Sequence, residues 1–360
     1  MSDLQRTVLF DQHTDAGARM MGFAGWEMPL QYAGTLEEYR AVRGTVGVFD
    51  ISHMGKFFVG GPAAGSWLDR VLTNRLSTLE TGAARYTFLL NEQGGVIDDL
   101  YVYRIQPEKF LLIVNAAKTA EDFDWMSARL DPGVEFSNSS AEYSALAVQG
   151  PGSPAVFRKC FGRDVPTARN RTLEFERGGE PLWVATTGYT GEVGFEVVFR
   201  NADAPSLWRA LLTAGCQPCG LGARDLLRLE MAYPLNGADL SPHRTPLEAG
   251  LGFFVDLAKE DFVGKAALDR QKAEGVPCHL CALAIQGKSP PVRAHYPVFS
   301  GERQIGETTS GGLSPTLGVA IALAYLPTEF AKRETPVEVG IRDRRYPARV
   351  TKKPFLTKEP

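Results

Sequence analysis

From about residue 278 the chain is a succession of short strand-like runs, "CALAIQG", "YPVFSGERQIGETTSG", "VAIALAYL", "PVEVGI" and "YPARVTKK", with Gly and Pro between them. Such a stretch has no helical period to bury. It predicts a small closed β-structure, a barrel or jelly roll. Ahead of it the two periods are mixed. Helix-like stretches fall at 35–47, 62–73 and 117–130, with others near 152–161, 204–214, 222–234 and 264–273. Between them lie strand-like runs such as "GKFFVGG", "KFLLIVN", "YSALAVQG" and "GFEVVF". The regular βαβ alternation of a doubly wound sheet is absent, and no internal repeat is evident. The change of character near 278 is therefore the firmest boundary.

Local chemistry sharpens two of these elements. Thr35 followed three residues later by Glu38 reads as a capping box at the first helix. "RYTFLLNEQGGVIDDLYVYRI" reads as a β-hairpin with "NEQGG" as its loop.

At 360 residues the chain is too long for one ordinary core and predicts two or three domains. Hydrophobic residues are 44% and charged residues 22%, which argues against disorder, and the net charge of −3 lacks the basic footprint of a nucleic-acid binder. It also argues against a membrane-surface protein, and no apolar run reaches the about 18 residues of a membrane span. The opening residues carry neither an apolar signal core nor an Arg/Ser-rich leader, so the expectation is a cytoplasmic protein. The five cysteines include two C-x-x-C pairs, "CQPC" and "CHLC", but 58 residues separate them and a zinc ribbon wants about 15–20. "CHLCALAIQ" also reads as a strand, whose residues three apart face opposite ways. Buried thiols in a reducing compartment, with no metal, are the expectation.

Three segments carry candidate chemistry. In "GGVIDDLYVY", Asp98 and Asp99 are neighbours on a strand, so one carboxylate points inward if one face is buried. A carboxylate among Ile97, Leu100, Val102 and Tyr103 is costly without a partner or a task. The plainer reading is a turn-capping Asp at the hairpin edge. In "TTGYTGEVGFEV", Glu196 sits between Phe195 and Val197, beside glycines that let backbone approach a ligand. A carboxylate there can accept paired hydrogen bonds from a guanidine-like edge such as that of a pterin. An outward Glu on an alternating strand is the plainer reading. In "GLGARDLLRLE", Arg224 and Arg228 share a helix face, as substrate clamp or as partners of Asp225 and Glu230. That motif lacks the last glycine of a dinucleotide fingerprint, "GGPAAG" is no phosphate loop, and the chain has no G-x-S-x-G elbow. The five histidines show no metal spacing, and His53 in "FDISHMG" reads as structural or as a supporting group.

Taken in order, "FAGWEMPLQY", "VFDISHMGKF", "GGVIDDLYVY", "GYTGEVGFEV", "GLGARDLLRLE", "TPLEAGLGFFV", "DFVGKAAL" and "TSGGLSPTLGVAIALAY" resemble the aminomethyltransferases of the glycine cleavage system, the T-proteins. The resemblance runs nearly the whole chain, to "KKPFL". It implies an α+β three-domain cloverleaf: 1–50 with 136–275 as a discontinuous folate-binding domain, 51–135 as a second α+β domain carrying the Asp99 hairpin, and 276–360 as a C-terminal barrel-like domain. It also implies the reaction. A lipoylated H-protein presents an aminomethyl group on its dihydrolipoyl sulfur, and the one-carbon unit passes to tetrahydrofolate with release of ammonia, giving 5,10-methylenetetrahydrofolate.

The resemblance further implies residue roles. Asp99 matches the catalytic carboxylate of the "DDL" motif, with Asp98 as its outward neighbour. Glu196 matches the pterin-binding acid, and Arg224 a folate contact, which leaves Arg228 structural. Tyr86, Tyr103, Tyr189, Tyr233, Met54 and Asn115 match positions lining the folate site. Asn236 and the Pro290–Pro291 pair depart from the usual pattern. The alternative within the superfamily is another tetrahydrofolate-dependent demethylase, although sarcosine- and dimethylglycine-type enzymes usually add a flavin domain. Folate-binding scaffolds of iron–sulfur assembly carry a "KGCYxGQE"-like signature that this chain lacks.

Overall fold

A computed structural model describes residues 4–357. The chain forms two compact units: residues up to Leu89 with Asp99–Arg224, and Leu90–Asp98 with the residues from Asp225 onward. Among the described residues no helix is long and apolar enough to cross a membrane.

The first unit is built on two main sheets. One has six strands in the order Thr172–Arg177, Glu180–Ala185, Gly194–Arg200, Tyr143–Gln149, Gly47–Asp50 and Gln217–Pro218. Its pairings are antiparallel except the last. The other has five strands in the order Ala84–Leu90, Val96–Gln106, Lys109–Val114, Gly55–Gly60 and Glu135–Asn138. Helices at Ser153–Phe161 and Ala204–Thr213 cover the six-stranded sheet. In the latter, Ala204, Leu207, Trp208 and Leu211 recur at helical spacing and are all buried. Each such large apolar side chain is worth about 1.5–3 kcal/mol of burial.

The turn Ile51–Met54 carries the chain from the six-stranded sheet directly into the five-stranded one. The strand it enters lies so close to its neighbours that a Cβ at Gly55 would meet the Val114 and Thr119 side chains. Only glycine fits there.

The second unit contains the C-terminal barrel expected from the sequence. Six strands close in the order Cys278–Ile285, Ala320–Pro327, Arg303–Leu313, Pro297–Ser300, Pro336–Ile341 and Arg344–Thr351. Strand Ala320–Pro327 is buried on both faces. Ala320, Ala322, Ala324 and Leu326 point to the barrel core, while Ile321, Leu323 and Tyr325 pack with Leu229 and Leu280 outside it. Three alanines on the inner face fit a narrow barrel. Arg228 is structural, as the resemblance implied. It is buried, and its guanidinium donates to Asp225 (2.8 Å), Asp239 (2.9 Å), Ser310 (2.9 Å) and the Tyr233 carbonyl (3.2 Å). Glu230 accepts from the Ser314 hydroxyl at 2.5 Å.

The hairpin loop is the one expected. Asn91 closes it, its side-chain oxygen accepting the amides of Gln93 (3.0 Å) and Gly95 (2.8 Å). Two local readings are corrected. The helix Thr35–Gly44 begins one residue earlier than a Thr35 cap requires, so Thr35 bonds Gln31 instead and no side chain caps the helix. Glu38 still reaches back, but for more than a capping box. Its fully buried carboxylate accepts the amides of Tyr32 (2.6 Å), Gly34 (3.1 Å) and Gly220 (2.8 Å), tying the helix to two loops. Asp98, expected to face outward, is fully buried, whereas Asp99 is half-buried. The hairpin is covered on both pleat faces at that point, so alternation does not mean exposure.

Candidate active site

Strand Val96–Gln106 places Asp99, Tyr101 and Tyr103 on one pleat face. Register carries the row sideways. Tyr101 pairs with Ile113 and Gly55 with Val114, which brings Asp99, Asn115 and Met54 side by side across three strands. Tyr86 comes from the next strand out. The Asp99 carboxylate accepts the Tyr86 hydroxyl at 2.7 Å and the Asn115 amide nitrogen at 3.2 Å, and that nitrogen also reaches the Asp99 carbonyl at 3.0 Å. These two neutral donors help aim the carboxylate. Burial and the adjacent Asp99 charge hold the Tyr86 hydroxyl protonated, well above the ordinary tyrosine range.

An aromatic wall continues from there. The Tyr86 and Tyr101 rings are 5.5 Å apart, and Tyr101 stacks on Tyr103 at 5.9 Å with 24° between planes. At its far end stands Glu196. Its Oε2 accepts the Thr187 hydroxyl at 2.5 Å and is reached by the Tyr103 hydroxyl at 3.5 Å. Burial and the Glu196 charge push Tyr103 well above its ordinary range, so it too stays a donor. Both contacts fall on Oε2, which leaves Oε1 as the open acceptor among the described residues. The two acids singled out in the sequence therefore close the two ends of one wall.

Arg224 lies over the Tyr189 ring at 4.7 Å, and Tyr189 is near enough to Tyr86 to act on its hydroxyl electrostatically. The turn Ile51–Met54 runs alongside. His53 is buried, packs edge-on against Phe23 at 5.8 Å, and its Nδ1 is sealed without a partner. Burial, with Arg224 and Lys56 nearby, drops its pKa to about 4, so the imidazole is neutral at ordinary pH. Beneath the turn, Asp50 accepts the Thr7 hydroxyl (2.7 Å), the His13 Nε2 (2.9 Å) and the Ser52 amide (2.8 Å). Burial alone would raise its pKa, but His13 and Ser52 outweigh it and hold the carboxyl at about 2.

The sequence matches two family models. The "GCVT N-terminal domain" covers residues 9–259, and the "Glycine cleavage T-protein C-terminal barrel domain" covers 279–356. The chain belongs to the glycine cleavage T-protein family. It is 43% identical over 364 residues to an aminomethyltransferase of Bacillus cereus (strain AH187), covering 99% of each chain. It is also 43% identical over 368 residues to one of Desulfitobacterium hafniense (strain Y51), covering 100% of each. The crystal structure of glycine cleavage system aminomethyltransferase T from Bartonella henselae superimposes with a TM-score of 0.93 at 32% identity, covering 98% of both chains.

For a T-protein, most of the residues named from the sequence converge in one place. Asp99, Glu196, Arg224, Tyr86, Tyr103, Asn115, Tyr189 and Met54 all belong to the first unit. Tyr233 belongs to the second, where its amide donates to the Arg228 carbonyl at 3.0 Å. Tyr101 and Thr187 were not named. Tyr101 was within reach of the sequence, being the middle member of an i, i+2, i+4 row with Asp99 and Tyr103; Thr187 meets Glu196 only across a chain reversal. A groove of about 1010 Å³ opens elsewhere on this unit, walled by Phe58, Tyr143, Trp183 and Arg200, and contains none of the named residues. Among the described residues no group of three or more His, Cys, Asp or Glu side chains is placed to hold a metal ion, and all five thiols are free.

Proposed function

We propose that the aminomethyltransferase reaction of this T-protein runs along the wall between Asp99 and Glu196. The reaction takes the one-carbon unit from an aminomethyl-dihydrolipoyl carrier to tetrahydrofolate, breaking its C–N bond to release ammonia and its C–S bond to leave the carrier as the dihydrolipoyl thiol. The observation that carries the reading is that two separated carboxylates, each aimed by neutral donors, cap one continuous aromatic surface.

Glu196 suits the pterin end. Its open Oε1 is an acceptor for the N–H groups of the 2-amino-4-oxopyrimidine edge, and Thr187 and Tyr103 fix its orientation. Tyr86, Tyr101, Tyr103 and Tyr189 offer faces and edges to the pterin and benzoyl rings, with Met54 as a conforming contact. Arg224, oriented on Tyr189, meets the acidic side of the folate.

Asp99 takes the chemical role. As the C–N bond to ammonia breaks, positive charge develops on the one-carbon unit. A fixed carboxylate opposes that charge far better than water, because its dipoles need not reorganise. It also accepts a hydrogen bond near folate N10, steering the attacking amine. Holding both reactants on one wall contributes the proximity effect, about 7–11 kcal/mol in ideal cases.

The carrier is the lipoylated H-protein, and a reducing cytoplasm suits five free thiols. The first unit divides further in this reading: its six-stranded sheet falls in 1–50 with 136–275 and the core of its five-stranded sheet in 51–135, with the barrel in 276–360. The test is a reconstituted assay with aminomethylated H-protein, following ammonia release. Release that accelerates on adding tetrahydrofolate is expected; release indifferent to folate refutes the reading.

A further inference from the structure

Lys56 is fully buried, yet among the described residues it makes no ion pair. Its ammonium donates at 2.7 Å to the carbonyl of Ser52 and at 2.7 Å to the carbonyl of Met54. Both acceptors belong to the turn Ile51–Met54. The turn is held at its other side by the Asp50 carboxylate, which takes the Ser52 amide, and by the Ser52 hydroxyl, which exchanges hydrogen bonds with the Ala145 backbone at 3.1–3.2 Å. Its own Met54 amide closes on the Ile51 carbonyl at 3.1 Å.

A methionine would fill this interior position without burying a charge, at the expense of the donor to two carbonyls. A buried ammonium facing only carbonyls is a poor device for stability. Burial pushes it down to about 8, against the pull of Asp50, which measures how unfavourable the site is for charge. The group is better explained by what it fixes. Of the four turn residues, Met54 is the one half-exposed, and register sets it beside Asn115, which in turn bonds Asp99.

We infer that Lys56 is a positioning residue: it clamps the Ser52 and Met54 carbonyls and so fixes Met54 against the bound folate. This rests on the folate reading above. Lys56 itself touches no substrate. Its effect passes through backbone that has no helix or sheet pairing of its own, where two carbonyl acceptors would otherwise be free to rotate.

The test measures steady-state kinetics of the full-length chain with aminomethylated H-protein, varying tetrahydrofolate. Lys56→Met is expected to raise KM for tetrahydrofolate about tenfold while kcat stays within threefold, with some loss of Tm because the Ser52 and Met54 carbonyls lose their donor. Lys56→Gln keeps two donor protons on a shorter stem. It should give an intermediate rise of about threefold, and carries the test alone should Lys56→Met not fold. In Met54→Ala, adding either Lys56 substitution should cost nothing further, because the group being positioned is gone. A folded Lys56→Met or Lys56→Gln chain with unchanged KM overturns the clamp while leaving the folate reading intact. So does a Lys56 effect that adds in full to Met54→Ala. A wild-type chain that does not saturate with tetrahydrofolate overturns the folate reading and this role together.

Discussion

Replacing Asp99 by Asn removes one charge and almost no volume. In the structure the carboxylate is half-buried and held by the Tyr86 hydroxyl and the Asn115 amide. The Asn oxygen can keep the Tyr86 donor, so the local geometry survives and stability should change by less than about 1 kcal/mol. The chemical effect is much larger. A carboxylate about 4 Å from a developing unit charge, at the effective dielectric of about 20 suited to a partly open site, is worth about 4 kcal/mol. That converts to nearly three decades in rate. Solvent reaching the half-exposed side trims this, so kcat should fall about 10²–10³-fold. The assay is single-turnover formation of methylenetetrahydrofolate from aminomethylated H-protein at saturating tetrahydrofolate, with calorimetric Tm as the control for folding. A folded Asp99→Asn chain within tenfold of wild type would refute the electrostatic argument and remove Asp99 from the chemical step.

Glu196→Gln keeps the shape but loses the charge at the pterin end, and Kd for tetrahydrofolate by calorimetry should rise about ten- to a hundredfold, with unchanged affinity counting against the contact. Tyr86→Phe deletes one donor to Asp99 and should lower kcat about tenfold with little effect on folate Kd; a pure binding defect would contradict its aiming role. Glu38→Ala leaves three backbone amides unsatisfied and should cost about 3–5 kcal/mol in urea unfolding, whereas a loss under 1 kcal/mol would show that water replaces the carboxylate. Asp50 has a folded pKa of about 2, below its ordinary value of 3.8, so its contribution of about 2 kcal/mol is present above pH 4 and disappears as pH falls through 2. The stability gap between wild type and Asp50→Asn should narrow over that window; a gap constant from pH 6 to pH 2.5 would contradict the linkage.

The parts of the fold that were legible in the sequence rest on local pattern. The Asn91–Gly95 loop, the alternation through Asp99 and the short strands of the C-terminal barrel each follow from neighbours a few positions apart. Glu196 stands out beside its glycines, but its alternation with Phe195 and Val197 fits an outward Glu equally well, so the local pattern alone does not decide its place. The grouping of Arg224, Tyr189 and Asn115 with them came from likeness to relatives, since nothing in their local sequence points to a common wall. What stayed hidden depends on partners far along the chain. Glu38 holds Gly220, and Asp50 holds His13, contacts that no spacing rule anticipates. Asp98 misled because alternation tells which residues share a face, not whether the opposite face is covered. Lys56 does not stand out, since nothing in "GKFFVGG" tells that its ammonium turns back to the Ser52 and Met54 carbonyls.

Because Asp99, Tyr101 and Tyr103 occupy alternate positions of one strand, the site has a parity. Losing or gaining a single residue between Leu90 and Val96 would present Asp98, Leu100 and Val102 where the working groups now stand. Natural or engineered length variation in that loop should therefore come in twos, and an odd indel should erase activity in a protein that still folds its barrel.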